Sequence, residues 1–176
     1  MAALLFCFTR DSGRLIIFRK RVRGLTEAGL ASFVARAQRA VPLKGGVNIL
    51  VSTNQELRRL NREFRGKNKG TDVLSFPAVE NADDLAGDIA ISAEIAAANA
   101  HNLGHTAAVE IKILALHGLL HLAGYDHERD NGQMARKEEE LQNALSLPSV
   151  LISRSFLERN RRNGRARSTG RTARTR

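Results

Sequence analysis

The sequence predicts an α+β fold in which one small β-sheet is covered by helices. Two observations support this class. Segments with the composition of strands alternate with segments that repeat apolar residues at helical spacing, and no internal repeat is present. The predicted helix of residues 106–123 is almost wholly apolar apart from its histidines, so we expect it to lie at the centre of the fold.

The first elements follow from turn and helix signals. Residues 4–9 and 14–19 flank a turn of Asp, Ser and Gly, which predicts a β-hairpin. Residues 26–40 carry apolar side chains on one face and precede Pro42, which predicts a helix. Residues 47–51 have the continuous apolar pattern of a buried strand.

Capping and proline signals define the middle of the chain. Thr53 and Glu56 form the capping-box pattern that begins a second helix, along which apolar residues recur at helical spacing. Residues 73–76 predict a strand that stops at Pro77. After an acidic loop, residues 80–84, a further strand is predicted over residues 88–92.

The last third of the predicted domain is helical. Residues 93–102 form an alanine-rich helical segment that ends at Gly104, a residue suited to a helix C-terminus. Thr106 caps the predicted helix of residues 106–123, and Asp130 caps a last helix that extends to about Leu145.

The composition is that of one soluble domain with a tail. The chain has 176 residues, of which 43% are apolar and 26% charged, and this excludes a disordered or fibrous protein. A single cysteine, Cys7, excludes an internal disulfide and favours a reducing compartment. We predict one domain over residues 1–158 and a disordered, arginine-rich tail over residues 159–176.

The net charge of +10 lies mainly in the tail. Residues 159–176 contain eight arginines and no acidic residue, whereas the rest of the chain has 20 basic and 18 acidic residues. The overall charge therefore does not by itself identify the folded part as a nucleic-acid binder.

No export signal or membrane span is recognisable in the sequence. The apolar residues 1–8 lack a basic start and a cleavage site, and no apolar stretch reaches the ~18–20 residues that a span needs. Arginines at positions 10, 14, 19, 21 and 23 leave an organellar transit peptide as an alternative to the hairpin. We expect a cytoplasmic protein without a membrane partner.

Residues 117–127 read HGLLHLAGYDH and predict a metal site. His117 and His121 are four residues apart, so their rings project from one face of a helix about a turn apart. Gly124 can adopt the left-handed conformation that ends a helix, which lets His127 reach the same point. We therefore predict a three-histidine site on a central helix and the loop that follows it.

Three imidazoles suit one Zn²⁺ ion and leave a coordination position open, as in zinc hydrolases, so that hydroxide is available near neutral pH. Glu110, two turns before His117, is a predicted hydrogen-bond partner of this site. His101 and His105 are expected to be surface or capping residues. A structural zinc is the alternative, and it requires a fourth ligand that the sequence does not obviously supply.

The spacing of the histidines matches that of metzincin metalloproteases, with one departure. In those enzymes the residue after the first histidine is the glutamate that acts as general base, whereas here it is Gly118. The metal-binding half of the pattern is present without the peptide-hydrolysing half. The reaction is therefore expected to concern a different bond.

A second group of residues is basic. Residues 60–77 read LNREFRGKNKGTDVLSFP, and Arg65 ends the predicted helix next to Gly66, where its guanidinium could bind a phosphate bidentately. The surrounding cations form a basic patch that predicts phosphate binding, with an ordinary solvated helix face as the alternative. They are Arg58, Arg59, Arg62, Lys67 and Lys69.

These two motifs, in order with GDIAIS at residues 87–92, resemble the YbeY family over about residues 47–145. The resemblance implies a small mixed sheet covered by helices and a metal-dependent, single-strand-specific endoribonuclease with a groove for RNA beside the metal. It implies action in ribosomal RNA processing, at the 3′ end of 16S rRNA, and in ribosome quality control. His117, His121 and His127 match the family's zinc ligands, and Arg65 matches its functionally important arginine. With RNA as the implied substrate, the cations of the basic patch around Arg65 are the predicted RNA-binding residues.

The implied partners are ribosomal RNA, the small ribosomal subunit with its proteins, and a ribosome-assembly GTPase. The tail is interpreted as an added RNA-contacting arm, and a charged end without this role is the alternative. Two other functions stay open. One is a zinc hydrolase of peptides or small molecules, with Asp126, Glu128 or Asp72 as the base. The other is an rRNA-binding assembly factor without catalysis.

Overall fold

A computed structural model describes residues 15–78, 84–127 and 129–148 and confirms the α+β class. The elements in chain order are β1 (Ile16–Phe18), α1 (Glu27–Ala40), β2 (Gly46–Ser52), α2 (Asn54–Arg65), β3 (Val73–Pro77), β4 (Leu85–Ser92), α3 (Ala93–Leu103), α4 (Ala107–Leu122) and α5 (Gln133–Ala144).

The four described strands form one mixed sheet in the order β1-β2-β4-β3. Strands β1 and β4 both pair with β2 in parallel, and β3 pairs with β4 in the antiparallel direction. Pro77 is the last residue of β3 rather than the residue after it. Because β3 lies at the edge of the described sheet, a proline there removes no hydrogen bond from a central ladder.

The alternation of side chains along the strands divides the core between the two faces of the sheet. On one face, Leu50, Leu74 and Ala90 pack against α2. On the other face, Ile49 and Ile89 belong to a larger cluster that includes residues of α1, α4 and α5. Helix α4 is buried over most of its length, as its apolar sequence predicts.

The predicted helix caps are present, with two differences. Thr53 Oγ1 accepts a hydrogen bond from the Glu56 N–H at 3.2 Å, but the Glu56 carboxylate bonds to arginine side chains. Helix α5 begins at Gln133, later than predicted, with Gly132 as its N-cap. Asp130 still caps it from outside the helix, since its carboxylate accepts from the N–H groups of Gly132 and Met134, both at 2.8 Å.

Several predictions lie outside the described residues. They are the first strand of the hairpin (residues 4–9), Cys7, most of the acidic loop (residues 80–84) and the arginine-rich tail (residues 159–176). In the described part of the chain no single helix has the length and apolar composition to cross a membrane. Helices α3 and α4 meet those criteria only together, across a bend of 110°.

Candidate metal centre

The C-terminal end of α4 presents two histidines on one face. His117 and His121 are four residues apart, a spacing that places side chains one above the other along a helix. Their Nε2 atoms are 3.1 Å apart, and their ring centroids are separated by 4.7 Å. Both rings therefore direct the same nitrogen toward one point.

The turn after α4 brings in the third histidine. Gly124 has a φ of +89°, in the left-handed region that favours glycine, and its N–H donates to the carbonyl of His121 at 3.0 Å. The chain therefore folds back, and the ring centroid of His127 lies 5.4 Å from that of His117 and 5.2 Å from that of His121. The predicted convergence of the three histidines is confirmed.

The donor set fits a zinc-like ion. One nitrogen from each ring lies within 4.8 Å of the other two. Zn–N bonds of about 2.0–2.1 Å in a tetrahedral site place ligand nitrogens about 3.3 Å apart, close to the 3.1 Å between His117 and His121. Among the described residues, no fourth His, Cys, Asp or Glu joins this group. Such a group leaves room for water or a substrate atom.

The environment of His121 favours the neutral imidazole, which is the form that binds metals. The pKa of His121 is lowered to about 4, chiefly by burial and also by the neighbouring His117 and His127. A hydrogen bond from the ring to the Tyr125 carbonyl and the charge of Asp126 oppose this shift. Near pH 7 the ring is therefore uncharged and held by the backbone.

A buried carboxylate on α5 orients His117. The Nδ1 of His117 lies 3.1 Å from Oε2 of Glu138, whose side chain is 5% exposed. An ionised carboxylate at this position accepts a hydrogen bond from Nδ1–H, and a neutral imidazole with its proton on Nδ1 presents an unprotonated Nε2 to a metal ion. Glu138 is 21 residues away on another helix, and no local spacing in the sequence identifies it.

The prediction that Glu110 is a hydrogen-bond partner of the three-histidine site is wrong. Glu110 is fully buried and lies 2.8 Å from Nε2 of His105, so the pair connects the start of α4 to the loop before it. The side chain of His105 is only 10% exposed, so it is not a surface residue, but its N–H donates to the Ala100 carbonyl at 3.1 Å and thus helps to cap α3, the other expected role. His101 is exposed on α3, as expected.

Gly118 explains why the glutamate of the metalloprotease pattern is missing. This glycine faces the sheet, and a Cβ at its position would lie 2.9 Å from Ile89 Cδ1 and 3.0 Å from Ser75 Oγ. A side chain at this position would therefore enter the interface between α4 and the strands. The absence of a base here follows from the close packing of α4 on β3 and β4.

We expect Gly118→Ala to destabilise the protein by about 1–3 kcal/mol, the usual cost of overpacking a core. Gly118→Glu is expected to be worse, because it also buries a carboxylate. Urea unfolding followed by circular dichroism measures both effects. A Gly118→Ala variant that is more stable, as expected for an open helical site where alanine gains about 1 kcal/mol over glycine, would contradict the close packing.

Arg65 lies beside the same end of α4. It is the last residue of α2 and precedes Gly66, which has a left-handed φ of +67°. Its Nη2 donates to the carbonyl of Ser75 on β3 at 3.3 Å. The hydroxyl of Ser75 in turn donates to the carbonyl of Gly118 at 3.4 Å. The guanidinium is therefore anchored next to the residue that follows His117.

The other predicted RNA-binding residues are divided between two places. Three of them, Arg58, Arg59 and Arg62, line a groove of about 400 Å³ on the exposed face of α2. Arg59 forms ion pairs with Glu56, which also lines the groove, at 3.1 Å and with Glu63 at 2.6 Å. Lys67 and Lys69 are exposed in the loop after α2, outside the residues that line the groove.

The carboxylates considered as bases differ in position. Asp126 is close enough to His121 to affect its pKa, and its carboxylate lies 3.5 Å from Nε of Arg129. Asp72 accepts from the N–H of Val73 at 3.0 Å, at the end of the sheet where β4 finishes. The C-terminal end of α4 lies near the start of β4, so Asp72 is remote from the histidines. Glu128 lies outside the described residues.

Besides Glu138, a second buried carboxyl group is not identified by any pattern in the sequence. Asp88 lies on the α2 face of the sheet and accepts from Asn48 Nδ2 at 2.9 Å. Burial raises the pKa of Asp88, and the hydrogen bond from Asn48 opposes this change. Because α4 covers the other face, Asp88 is separated from the histidines by the sheet.

Comparison with known proteins gives a family. Residues 16–146 match the family model described as "Endoribonuclease YbeY". A protein of that name from Koribacter versatilis is 52% identical over 141 residues, which cover 80% of this chain and 91% of that protein. One from Solibacter usitatus is 44% identical over 142 residues, covering 81% and 95%.

A solved structure shows a related fold. The solution structure of a Thermotoga maritima protein aligns with a TM-score of 0.50 and 28% sequence identity. The alignment covers 74% of this chain and 89% of that one.

Proposed function

The chain belongs to the YbeY family, and on this premise we propose that it is a zinc-dependent endoribonuclease that cleaves single-stranded RNA. The observation that carries the proposal is the convergence of three histidine nitrogens within 4.8 Å, without a fourth ligand among the described residues. This arrangement is typical of catalytic rather than structural zinc sites. The relatives named above carry the word endoribonuclease in their names.

The residues that would hold the ion are His117, His121 and His127, and Zn²⁺ bound there would supply Lewis acidity and a water of lowered pKa. The protein contributes the geometry. Glu138 holds the ring of His117, and the Tyr125 carbonyl holds that of His121. Fixed rings of this kind give a site that needs little reorganisation when RNA binds.

Arg65 is proposed to bind the phosphate group that is cleaved. The guanidinium has five N–H donors, and the bond to Ser75 uses one of its nitrogens. The remaining donors can bind two oxygens of a phosphate, and this contact strengthens as negative charge builds in the transition state. The bond to Ser75 limits the directions in which the guanidinium can move.

The basic groove on α2 is proposed to hold the RNA backbone as it leaves the metal centre. Arg58 and Arg62 line it together with Arg59, and Lys67 and Lys69 lie in the adjoining loop. From Arg58 to Arg65 is seven residues of helix, or about 10 Å. Contacts with phosphates would position the strand without reading its sequence.

In the cell we propose a role in ribosomal RNA processing, at the 3′ end of 16S rRNA, and in ribosome quality control. The corresponding partners are the small ribosomal subunit with its proteins and a ribosome-assembly GTPase, in the cytoplasm. The single domain of residues 1–158 and the disordered, RNA-contacting tail of residues 159–176 belong to the same proposal.

The test is a cleavage assay with one preparation of the full chain on single-stranded RNA, duplex RNA and casein. We expect cleavage of the single-stranded RNA alone, its loss with a chelator and its return with Zn²⁺. Casein cleavage would favour the hydrolase alternative, for which Asp126 is the candidate base close enough to His121 to affect its pKa. Metal binding without any cleavage would favour an assembly factor.

We expect Arg65→Gln to lower kcat on single-stranded RNA by about 10²-fold, the usual effect of losing one donor to transition-state charge. Arg65 is exposed, so the unfolding temperature should not change. Single-turnover assays at saturating RNA measure the effect, and the exposed Arg36→Gln is the matched control. Equal rates for the two variants would exclude Arg65 from the reaction.

A further inference from the structure

A loop between β1 and α1 carries a cluster of cations that the proposed function does not use. Arg19, Lys20, Arg21 and Arg23 are all exposed. Arg19 has an ion-pair partner in α2, but none of the other three has a carboxylate within 4.0 Å in the part of the chain that the structure describes. The nearest acidic residue along the chain is Glu27, in the first turn of α1.

The backbone of this β1–α1 loop is held by the fold. The N–H groups of Arg19 and Lys20 both donate to the carbonyl of Val51 on β2, at 2.8 and 3.2 Å. Val22 and Leu25 pack against the core cluster that contains α1 and α4. The cations therefore project from a fixed position at the end of the sheet where β2 finishes.

The loop is continuous with the basic groove on α2. Nη1 of Arg19 lies 3.3 Å from Oε1 of Glu56, and the same oxygen lies 3.1 Å from Nη2 of Arg59. Glu56 and Arg59 both line the groove. Arg19 therefore stands at the rim of the groove and joins it to the other three cations.

The loop lies far from the histidines. A Cβ at Gly24 would be 4.0 Å from Cβ of Ala108, at the start of α4. His121 is thirteen residues further along this helix, a distance of about 20 Å. At about 3.4 Å per stacked nucleotide, a strand of about six nucleotides would span that length.

We infer that Lys20, Arg21 and Arg23 form the distal end of a binding surface for single-stranded RNA, which starts at Arg65 and follows the exposed face of α2. The inference rests on the proposed function for the identity of the ligand. A polyanion matches cations that have no carboxylate partner among the described residues and that adjoin a groove lined by arginines. An RNA strand bound at the metal centre would then continue along α2 as far as the β1–α1 loop.

The test compares two triple variants of the full chain that remove equal charge. The loop variant carries Lys20→Gln, Arg21→Gln and Arg23→Gln. The control variant carries Arg36→Gln, Arg39→Gln and Lys44→Gln, which are at exposed positions elsewhere. Anisotropy measures binding of a labelled single-stranded RNA against salt, with a chelator present to prevent cleavage. We expect the magnitude of the negative slope of log K against log salt to decrease by about 2 in the loop variant and by much less in the control variant.

Equal slopes in the two triple variants would overturn the inference, since the effect would then be one of net charge. A loop variant that keeps the wild-type slope would overturn it as well. If the loop variant has a lowered unfolding temperature, the single variant Arg21→Gln replaces it, and its slope is expected to decrease in magnitude by about 0.7. Absence of cleavage refutes the proposed function without changing these slopes.

Discussion

The His121→Ala variant is expected to retain its fold, to lose bound zinc and to cut single-stranded RNA no faster than the buffer control. In the wild type, Nε2 of His121 lies 3.1 Å from Nε2 of His117. Removal of the His121 ring leaves only two imidazoles to bind the ion. Two ligands do not make the three-histidine set that holds a catalytic zinc. The fold should persist because its apolar core lies on both faces of the sheet and does not depend on the ring of His121.

The control for this prediction is His101→Ala, which removes an imidazole from an exposed position on α3. Metal content per chain, initial cleavage rate and unfolding temperature are measured on both variants in parallel. His101→Ala should match the wild type in all three. Stoichiometric zinc together with normal cleavage in His121→Ala would exclude this ring from the site.

The same variant separates an enzyme from a metal-stabilised scaffold. Any ion that binds only the folded protein raises its stability by an amount that depends on its concentration and affinity. For a scaffold, loss of zinc should lower the unfolding temperature, while no RNA cleavage exists to be lost. For the proposed enzyme, cleavage falls to background even under conditions in which the variant is fully folded.

Local patterns in the sequence were sufficient for the elements and for the histidine cluster. The spacing of His117 and His121 determines their relative position once a helix forms, and Gly124 permits the turn that returns His127. Likewise, each threonine cap accepts a hydrogen bond from the N–H group three residues later in the chain. In all these cases the partners are close along the chain, so the sequence specifies the contact.

Contacts between distant segments could not be predicted in this way. The pairing of His117 with Glu138, 21 residues further along the chain, depends on how α5 packs against α4. The contact of Arg19 with Glu56 depends on the parallel pairing of β1 with β2. A carboxylate on the right helical stripe is a possible partner, but only the tertiary structure selects among several.

Glu138 provides the second large expected effect. We expect Glu138→Ala to weaken zinc binding by about 10–100-fold, the usual consequence of removing the hydrogen-bond partner of a ligating histidine. Without the carboxylate, the Nδ1–H of His117 has lost its acceptor and the ring can rotate or change tautomer. The zinc affinity of Glu138→Gln should lie between those of the wild type and Glu138→Ala, because the amide oxygen can still accept a hydrogen bond from Nδ1 but carries no charge.

Zinc affinity of the Glu138 variants is measured by competition with a chromophoric chelator, and the tautomer of His117 by nitrogen NMR of the metal-free protein. The neighbouring Glu139→Ala and Glu139→Gln are matched controls, because Glu139 is exposed on the same helix. If Glu138→Ala fails to fold, the glutamine variant keeps the shape of the side chain and still reports the effect of its charge. Affinities equal to those of the Glu139 variants, with an unchanged tautomer of His117, would mean that Glu138 contributes packing alone.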